Sequence, residues 1–435
     1  MMQIVVKIEG LISGAFPLVL LVFIGIYLTL KTRGLQFRKF GAAIRFALFS
    51  KDDNTSGVSS FGATCNSLAA TVGTGNIAGV AAAISIGGAG AVFWMWVSAL
   101  LSMVIKAAEI VIAIFYRKRE NENFVGGPMY YIKYGLAKKY SFLAVLFAVA
   151  GVFSSFTTGN ITQINACVAV VSENFYIKLL VGVAIALLVG IVIVGGVQKI
   201  TKFTTFLMPI MALLYIGLCL VVIIKNFNLV GNAFLSIIKG AFMPKAVTGG
   251  AVGSVFRVVL TGTQKGIFSN EAGLGTAAMA HAVAKDAKVQ TQGFFGVFEV
   301  FADTLLICTL TALTILCSGV IIDYSTVASS ELVARSLETV FGGVSLPLLV
   351  VMLLLFGVGS VIGWAAYGMA FSKFLLGKKG EKVFVLIYPL FCVIGAVARV
   401  EFAWRTAEFF NGIMLIINLF AVFMLSHKAV KVLGE

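Results

Sequence analysis

Charge is scarce in this chain. Only 12% of its 435 residues are Asp, Glu, Lys or Arg, about half the share of a soluble domain, where charged residues make up about 25%. Histidine occurs twice and proline six times. Neither an HExxH sequence nor a paired Ser/His arrangement is present, which excludes the usual metallohydrolase and triad chemistries. No GxxxxGK[ST] sequence occurs, so the phosphate-binding loop of a primary pump is missing. The six cysteines, Cys65, Cys167, Cys219, Cys308, Cys317 and Cys392, lie in apolar runs without CxxC spacing. They read as small buried hydrophobes rather than as disulfides or metal ligands. Apolar residues are what the chain has in abundance: 60% of it, with a mean hydropathy of +1.03. This is the composition of a polytopic membrane protein with no soluble domain of useful size left over.

About 20 apolar residues cross the hydrocarbon core as a helix. That ruler gives eleven spans, centred near residues 21, 75, 103, 155, 187, 213, 268, 306, 359, 390 and 416. The first run, Leu11 to Leu30, ends at Lys31 and Arg33 without a small-residue exit, so it is expected to be a span rather than a cleaved leader. Two connections are longer, Gly34–Ser60 and Leu229–Gly250, and read as surface pieces. Ser329–Phe341 opens with a Ser-x-x cap signal and mixes charged with apolar residues, as a short interfacial helix does. The basic excess, 33 Lys and Arg against 18 Asp and Glu, need not mean nucleic acid. Alternating the loops puts 22 of the basic residues on one side and 8 on the other. By the positive-inside rule the N-terminus is then outside and the C-terminus cytoplasmic.

One apolar run looks built to fail as a helix. Thr71-Val72-Gly73-Thr74-Gly75-Asn76-Ile77-Ala78-Gly79 sits at mid-membrane depth, and each glycine there costs a helix about 1 kcal/mol against alanine. Opened backbone is tolerated in a bilayer only where protein buries it or a watery cavity meets it. The pattern Asn-x-Ala-Gly of Asn76–Gly79 returns 194 residues later as Asn270-Glu271-Ala272-Gly273. Each copy opens a block of five spans, and the two cross the membrane in opposite senses. Broken helices in matching positions point to an inverted-repeat secondary transporter.

Thr71–Gly79, the FWMW segment at Phe93–Trp96, Gly126-Gly127-Pro128-Met129-Tyr130-Tyr131 and Phe268-Ser269-Asn270-Glu271-Ala272-Gly273-Leu274-Gly275 resemble the alanine or glycine:cation symporter family. The likeness runs from about Leu11 to Leu425. It implies an all-α membrane protein of the leucine-transporter type: ten core helices in two inverted five-helix repeats, one extra N-terminal helix and two discontinuous helices. On that reading residues 1–60 hold the extra helix and a cytoplasmic segment, and 61–225 the first repeat. Residues 226–255 form an extracellular connection, 256–426 the second repeat and 427–435 a cytoplasmic tail. The resemblance also implies uptake of alanine or glycine across the plasma membrane, with Na+ as the coupling ion. Proton coupling in the same fold is the alternative, and a channel a weaker one.

The candidate site follows from the breaks. Free amides at Asn76–Gly79 suit a substrate carboxylate. Carbonyls around Thr71 and Gly73, ending the preceding half-helix, suit Na+ or an ammonium. Gly75, Ser269 and Gly273 lie in the two unwound stretches, and Phe268 is a candidate pocket wall. Trp364, mid-span, is a second wall that would favour a small side chain. The resemblance turns Gln163 toward the substrate. Ser360, with Asn76 and carbonyls of Ala69, Val72 and Gly357, is the candidate sodium set. Members of the family carry two adjacent hydroxyl residues there, whereas this chain has Gly359 before Ser360. Among the embedded charges, Lys106 and Glu109 at i,i+3 are expected to pair. Glu299 and Asp303 at i,i+4 are like charges that Lys265 could offset. Glu271 reads as a sodium ligand, an anchor for the unwound backbone, a proton carrier or simply a satisfied carboxyl.

Overall fold

The computed structural model describes residues 12, 14–49, 57–250, 252–324 and 330–434, and it is almost entirely helical. The helices used below are α1 (Ala15–Lys31), α2 (Phe40–Phe49), α3 (Ser60–Thr71), α4 (Ala78–Gly87), α5 (Gly90–Tyr116), α6 (Pro128–Gly135), α7 (Ser141–Phe156), α8 (Thr162–Val171), α9 (Phe175–Ile193) and α10 (Gly196–Lys225). They continue as α11 (Phe227–Phe242), α12 (Val255–Asn270), α13 (Thr276–Ala282), α14 (Val289–Val300), α15 (Thr309–Cys317), α16 (Ser330–Phe341), α17 (Ser345–Ile387), α18 (Leu390–Val397), α19 (Val400–Met424) and α20 (Ser426–Leu433). Among the described residues the strands are Lys118–Glu120 and Asn123–Val125, an antiparallel hairpin with Arg119 opposite Phe124. The sequence reading had no hairpin there.

Among the described residues, seven helical stretches are long and apolar enough to cross a membrane, or eight with the bent pair α3 and α4 counted as one span. The 17-residue α1 is apolar but shorter. The 43-residue α17 turns at Gly377, where φ is +66°. A straight helix of that length would run about 65 Å, twice the hydrocarbon thickness, so the turn splits it.

Burial separates core from periphery. α5 packs against α12, α13, α14 and α1, and 83% of its apolar window is buried, against 33% for α9 and 39% for α10. α9 and α10 instead present Leu187, Ile191, Phe206 and Leu213 outward, as helices facing lipid do. α5 owes its central position partly to small residues. A Cβ on Gly90 would overlap the Gly240 backbone of α11, so only glycine permits that approach.

The Leu229–Gly250 connection is largely the helix α11, which buries Ala233, Ile237, Gly240 and Ala241 along one face. The Gly34–Ser60 connection contains Leu35–Arg38 and α2. The helix expected near Ser329 is α16, while Ser329 itself lies outside the described residues.

Candidate functional site

The first break lies between α3 and α4, which meet at 58°. α3 opens with the Ser59 hydroxyl accepting from Gly62 N and closes at Thr71. A single 3-10 turn, Thr74–Asn76, carries the chain across. Side chains take over the backbone groups released by the break. Gly73 N donates to Asn76 Oδ1 at 3.0 Å. Gln163 Oε1 accepts from Thr74 N at 3.0 Å and Thr74 Oγ1 at 2.9 Å. Ser360 Oγ donates to Ala70 O at 2.8 Å, and Thr311 Oγ1 to Asn76 O at 2.9 Å. The Thr71 hydroxyl stays within its own helix, on Ser67 O. Gln163 therefore braces the unwound turn, and a Cβ on Gly73 would collide with it.

The far side of this turn is open. Ala81 N is the first α4 amide to bond back, to Ile77 O at 3.2 Å, so the amides of Ala78, Gly79 and Val80 have no partner within the helix. Gly75 and Ala78 are half-buried. No heavy atom lies within 4 Å of an ideal Cβ on Gly79, and only Phe268 Cδ1, at 4.0 Å, meets one on Gly75. Phe268 thus walls this space, its ring 5.1 Å from that of Trp404.

The second break, between α12 and α13, is closely packed at its glycines, where a Cβ on Gly273 would meet Leu415 and one on Gly275 would meet Pro128. It turns through left-handed positions at Glu271 (φ +56°), Gly273 (φ +88°) and Gly275 (φ +78°), and the last two favour glycine. Glu271 Oε1 accepts from Trp364 Nε1 at 2.9 Å and its Oε2 from Thr276 Oγ1 at 2.9 Å. Both carboxyl oxygens are thus engaged, and Glu271 anchors the break to α17. Trp364 is fully buried and presses on Gly159, where a Cβ would strike its ring. Gly273 faces α19: its carbonyl accepts from Asn418 Nδ2 at 2.8 Å, and a Cβ on it would meet Leu415.

The two breaks meet over a residue the sequence reading did not place in the site. Asp303 is fully buried in the π-helical stretch Phe301–Cys308, a distortion common at functional positions. Its Oδ1 accepts from Asn76 Nδ2 at 2.7 Å, and its Oδ2 from Ser269 Oγ and Thr304 Oγ1, both at 2.8 Å. One donor comes from the first break, one from the second and one from α14's continuation. The i,i+4 spacing from Glu299 was visible in sequence, but only the fold shows that Asp303 points at Asn76.

The embedded charges pair differently from the expectation. Lys106 does not close on Glu109. Its ammonium donates to Asn270 O at 3.0 Å and lies 3.1 Å from Glu299 Oε2, because α12 and α14 both press on that face of α5. Glu109 Oε1 instead accepts from Asn418 Nδ2 at 2.6 Å, and the Tyr131 hydroxyl donates to Asn418 Oδ1. Lys265 does not serve Glu299 either; it lies 5.1 Å from the Trp404 ring centre, on the other side of Phe268. The remaining candidate cation ligands, Ala69, Val72 and Gly357, are buried. A Cβ on Gly359 would stand 3.8 Å from Ala69 O, between Leu207 and Met211.

Two interrupted helices braced across a buried carboxylate, in a body of apolar helices, define a membrane transporter rather than an enzyme. The comparisons with known proteins agree and are more specific. The chain belongs to the sodium:alanine symporter family, whose family model matches residues 1–435. It is 36% identical to the sodium/alanine symporter AgcS of Methanococcus maripaludis, over 99% of this chain and 96% of that protein. An uncharacterized transporter of Haemophilus influenzae is 40% identical, covering 97% and 92%. The probable sodium/glutamine symporter GlnT of Bacillus subtilis is 36% identical, covering 100% and 91%. In fold, the chain is similar to MhsT solved in complex with L-phenylalanine, with a TM-score of 0.61 at 14% identity over 85% of this chain and 90% of that one. A manganese transporter of Eremococcus coleocola gives 0.51 at 15% identity, covering 88% and 80%.

Proposed function

We propose that the protein imports alanine, glycine or a similarly small neutral amino acid together with Na+, by alternating access across the plasma membrane. The observation that carries this reading is the position of Asp303. Its carboxylate is buried at the junction of both breaks and accepts from neutral donors, Asn76, Ser269 and Thr304. A buried charge needs an opposite charge or strong hydrogen bonds. Asp303, the hydroxyls of Ser269 and Thr304 and the nearby opened backbone form a hard oxygen set of the kind Na+ takes. A second group, the Ser360 hydroxyl with the carbonyls of Ala69, Val72 and Gly357, could hold another Na+. The substrate carboxylate would lie at the amides of Ala78 to Val80, and Phe268 would limit its side chain.

The architecture that fits this function has eleven spans, with two inverted repeats after an extra N-terminal helix, the N-terminus outside and the C-terminus cytoplasmic. Rocking of the helices that carry the breaks would then expose the site to each side in turn. The name of the glutamine-associated relative argues for testing larger substrates too.

The deciding experiment is uptake of labelled alanine into proteoliposomes with and without an inward Na+ gradient, with glycine, alanine, glutamine and leucine as competitors. Uptake that Na+ drives and that glycine and alanine suppress best is the expected result. Uptake indifferent to Na+ but driven by a proton gradient would replace this reading with proton symport. Uptake indifferent to both would reject symport.

A further inference from the structure

The transport reading leaves one buried cluster unused. His281 of α13 is fully buried between Glu299 of α14 and Gln292 of the same helix. Its Nε2 lies 2.6 Å from Glu299 Oε1, and its Nδ1 lies 2.6 Å from the Gln292 amide. The other end of that amide is 2.8 Å from Ser60 Oγ. Ser60 Oγ in turn lies 2.8 Å from Asp286 Oδ1, which also accepts from Ser60 N at 2.7 Å. This run joins the start of α3 to the loop after α13, and a backbone bond from Lys285 N to Val58 O at 2.9 Å reinforces it. It ties the α3 half of one broken helix to the α13 half of the other.

Counting hydrogens along this run fixes its protonation. An amide nitrogen and oxygen are told apart by their partners. Suppose the Gln292 nitrogen faces the ring and its oxygen faces Ser60. The Ser60 hydroxyl, with a single hydrogen, then faces two acceptors, Gln292 Oε1 and Asp286 Oδ1, and can serve one.

Turning the amide end for end removes that fault. Its nitrogen donates to Ser60 Oγ, the Ser60 hydroxyl donates to Asp286, and the Gln292 oxygen accepts from Nδ1–H. With Nε2 donating to the Glu299 carboxylate, the ring then carries both protons.

The surrounding charges favour the same state. Facing His281 or its direct partners are Glu299 and Lys106, and at the exposed end Asp286, Lys285 and Arg117, whose Nη1 donates to Ala284 O at 2.7 Å. Tyr367 of α17 also faces Glu299, and Glu271 and Glu109 approach through Lys106.

We propose that His281 is a proton-binding site of the transport cycle, doubly protonated while α3 and α13 are tied together and deprotonated when they part. The proposal rests on the alternating-access reading above. Losing the Nδ1 proton sets Gln292 Oε1 against a bare ring nitrogen. The amide must then turn back, and Ser60 must give up either Gln292 or Asp286. The tie weakens, and as the halves part the proton is lost to solution at the partly exposed Asp286 end.

The chain has two histidines, and His427 is exposed, so a His427→Gln variant isolates His281 for nitrogen-15 NMR of histidine-labelled, full-length protein in lipid bilayers. Two protonated ring nitrogens near neutral pH are expected; one protonated and one bare nitrogen would overturn the proposal. In proteoliposomes, Na+-driven uptake should depend on the pH of the compartment facing Asp286. His281→Gln should lose that pH dependence and keep its dependence on Na+. Retained pH dependence in His281→Gln also counts against the proposal. Absence of Na+-driven uptake from every preparation would reject the proposed function instead, and the NMR result would still decide the protonation of His281.

Discussion

The two broken helices carry the same Asn-x-Ala-Gly pattern and are put to opposite uses. The first break is braced by neutral groups, Gln163, Asn76, Ser360 and Thr311, and leaves open space in front of Gly75 and Gly79. The second is pinned by ionisable groups, Lys106 on Asn270 O and Glu271 on Trp364, and its glycines Gly273 and Gly275 stand against neighbouring side chains. The difference teaches which half works and which half holds. Neutral hydrogen bonds are worth about 1 kcal/mol each net and can be exchanged for bonds to a ligand. Buried ionic pins are costlier to undo, because a charge that loses a partner in a low dielectric is poorly compensated.

The largest effect should therefore come from the pinned side. Lys106→Met strands Glu299 without its ammonium and frees the Asn270 carbonyl, and removing one partner of a buried pair costs about 3–5 kcal/mol. We expect sharply reduced folded yield and a lowered melting temperature in detergent, read by fluorescence-detected size exclusion. A variant as stable as the parent would break the contrast between the breaks.

Next is the meeting point. Asp303→Asn removes the charge but keeps the shape, so the fold should survive while Na+ stimulation of uptake weakens. Apparent Na+ affinity should fall by about tenfold or more, which corresponds to roughly 1.4 kcal/mol or more. An unchanged Na+ dependence would exclude Asp303 from the cation site.

Gln163→Ala tests the neutral brace. Its two bonds to Thr74 disappear, at about 1–2 kcal/mol in all, and the unwound turn loses its preset shape. Substrate affinity should drop several-fold in a binding titration, with melting temperature little changed. A loss of stability matching that of Lys106→Met would mean that the first break is a structural pin as well.

Much of this was legible in the sequence because the bilayer constrains it so strongly. Glycine and asparagine clustered at Thr71–Gly79 and at Asn270–Gly273 pointed to breaks, since so many together weaken an apolar helix. Ser360 and Gln163 were also singled out, and both bond the backbone of the first break. Partner choice was not legible. Whether Lys106 meets Glu109, three residues away, or Glu299 depends on which helices press on α5, and spacing along one helix carries nothing about that. Trp364 was expected to wall the pocket for the same reason, yet its indole reaches Glu271. Asp303 was hidden by a π-helical stretch, which rotates later side chains off the regular 3.6-residue register.

The smallest change bears on the one departure from the family pattern. Gly359→Ser would restore a hydroxyl next to Ser360. The new Cβ would lie 3.3 Å from Leu207 Cδ2 and 3.4 Å from Met211 Sδ, both ends of flexible side chains that can give way by a few tenths of an ångström. Its hydroxyl would project from a point 3.8 Å from Ala69 O, beside one of the carbonyls proposed to face Na+. The fold should tolerate it, and one more oxygen ligand should raise apparent Na+ affinity by about two- to fivefold, roughly the 0.5–1 kcal/mol of a net hydrogen-bond-sized gain. The measurement is uptake against Na+ concentration, in the parent and the variant side by side. If the variant binds Na+ no more tightly, the Ser360 group contributes nothing to coupling. Asp303, where the neutral break meets the pinned one, would then be left as the only cation site.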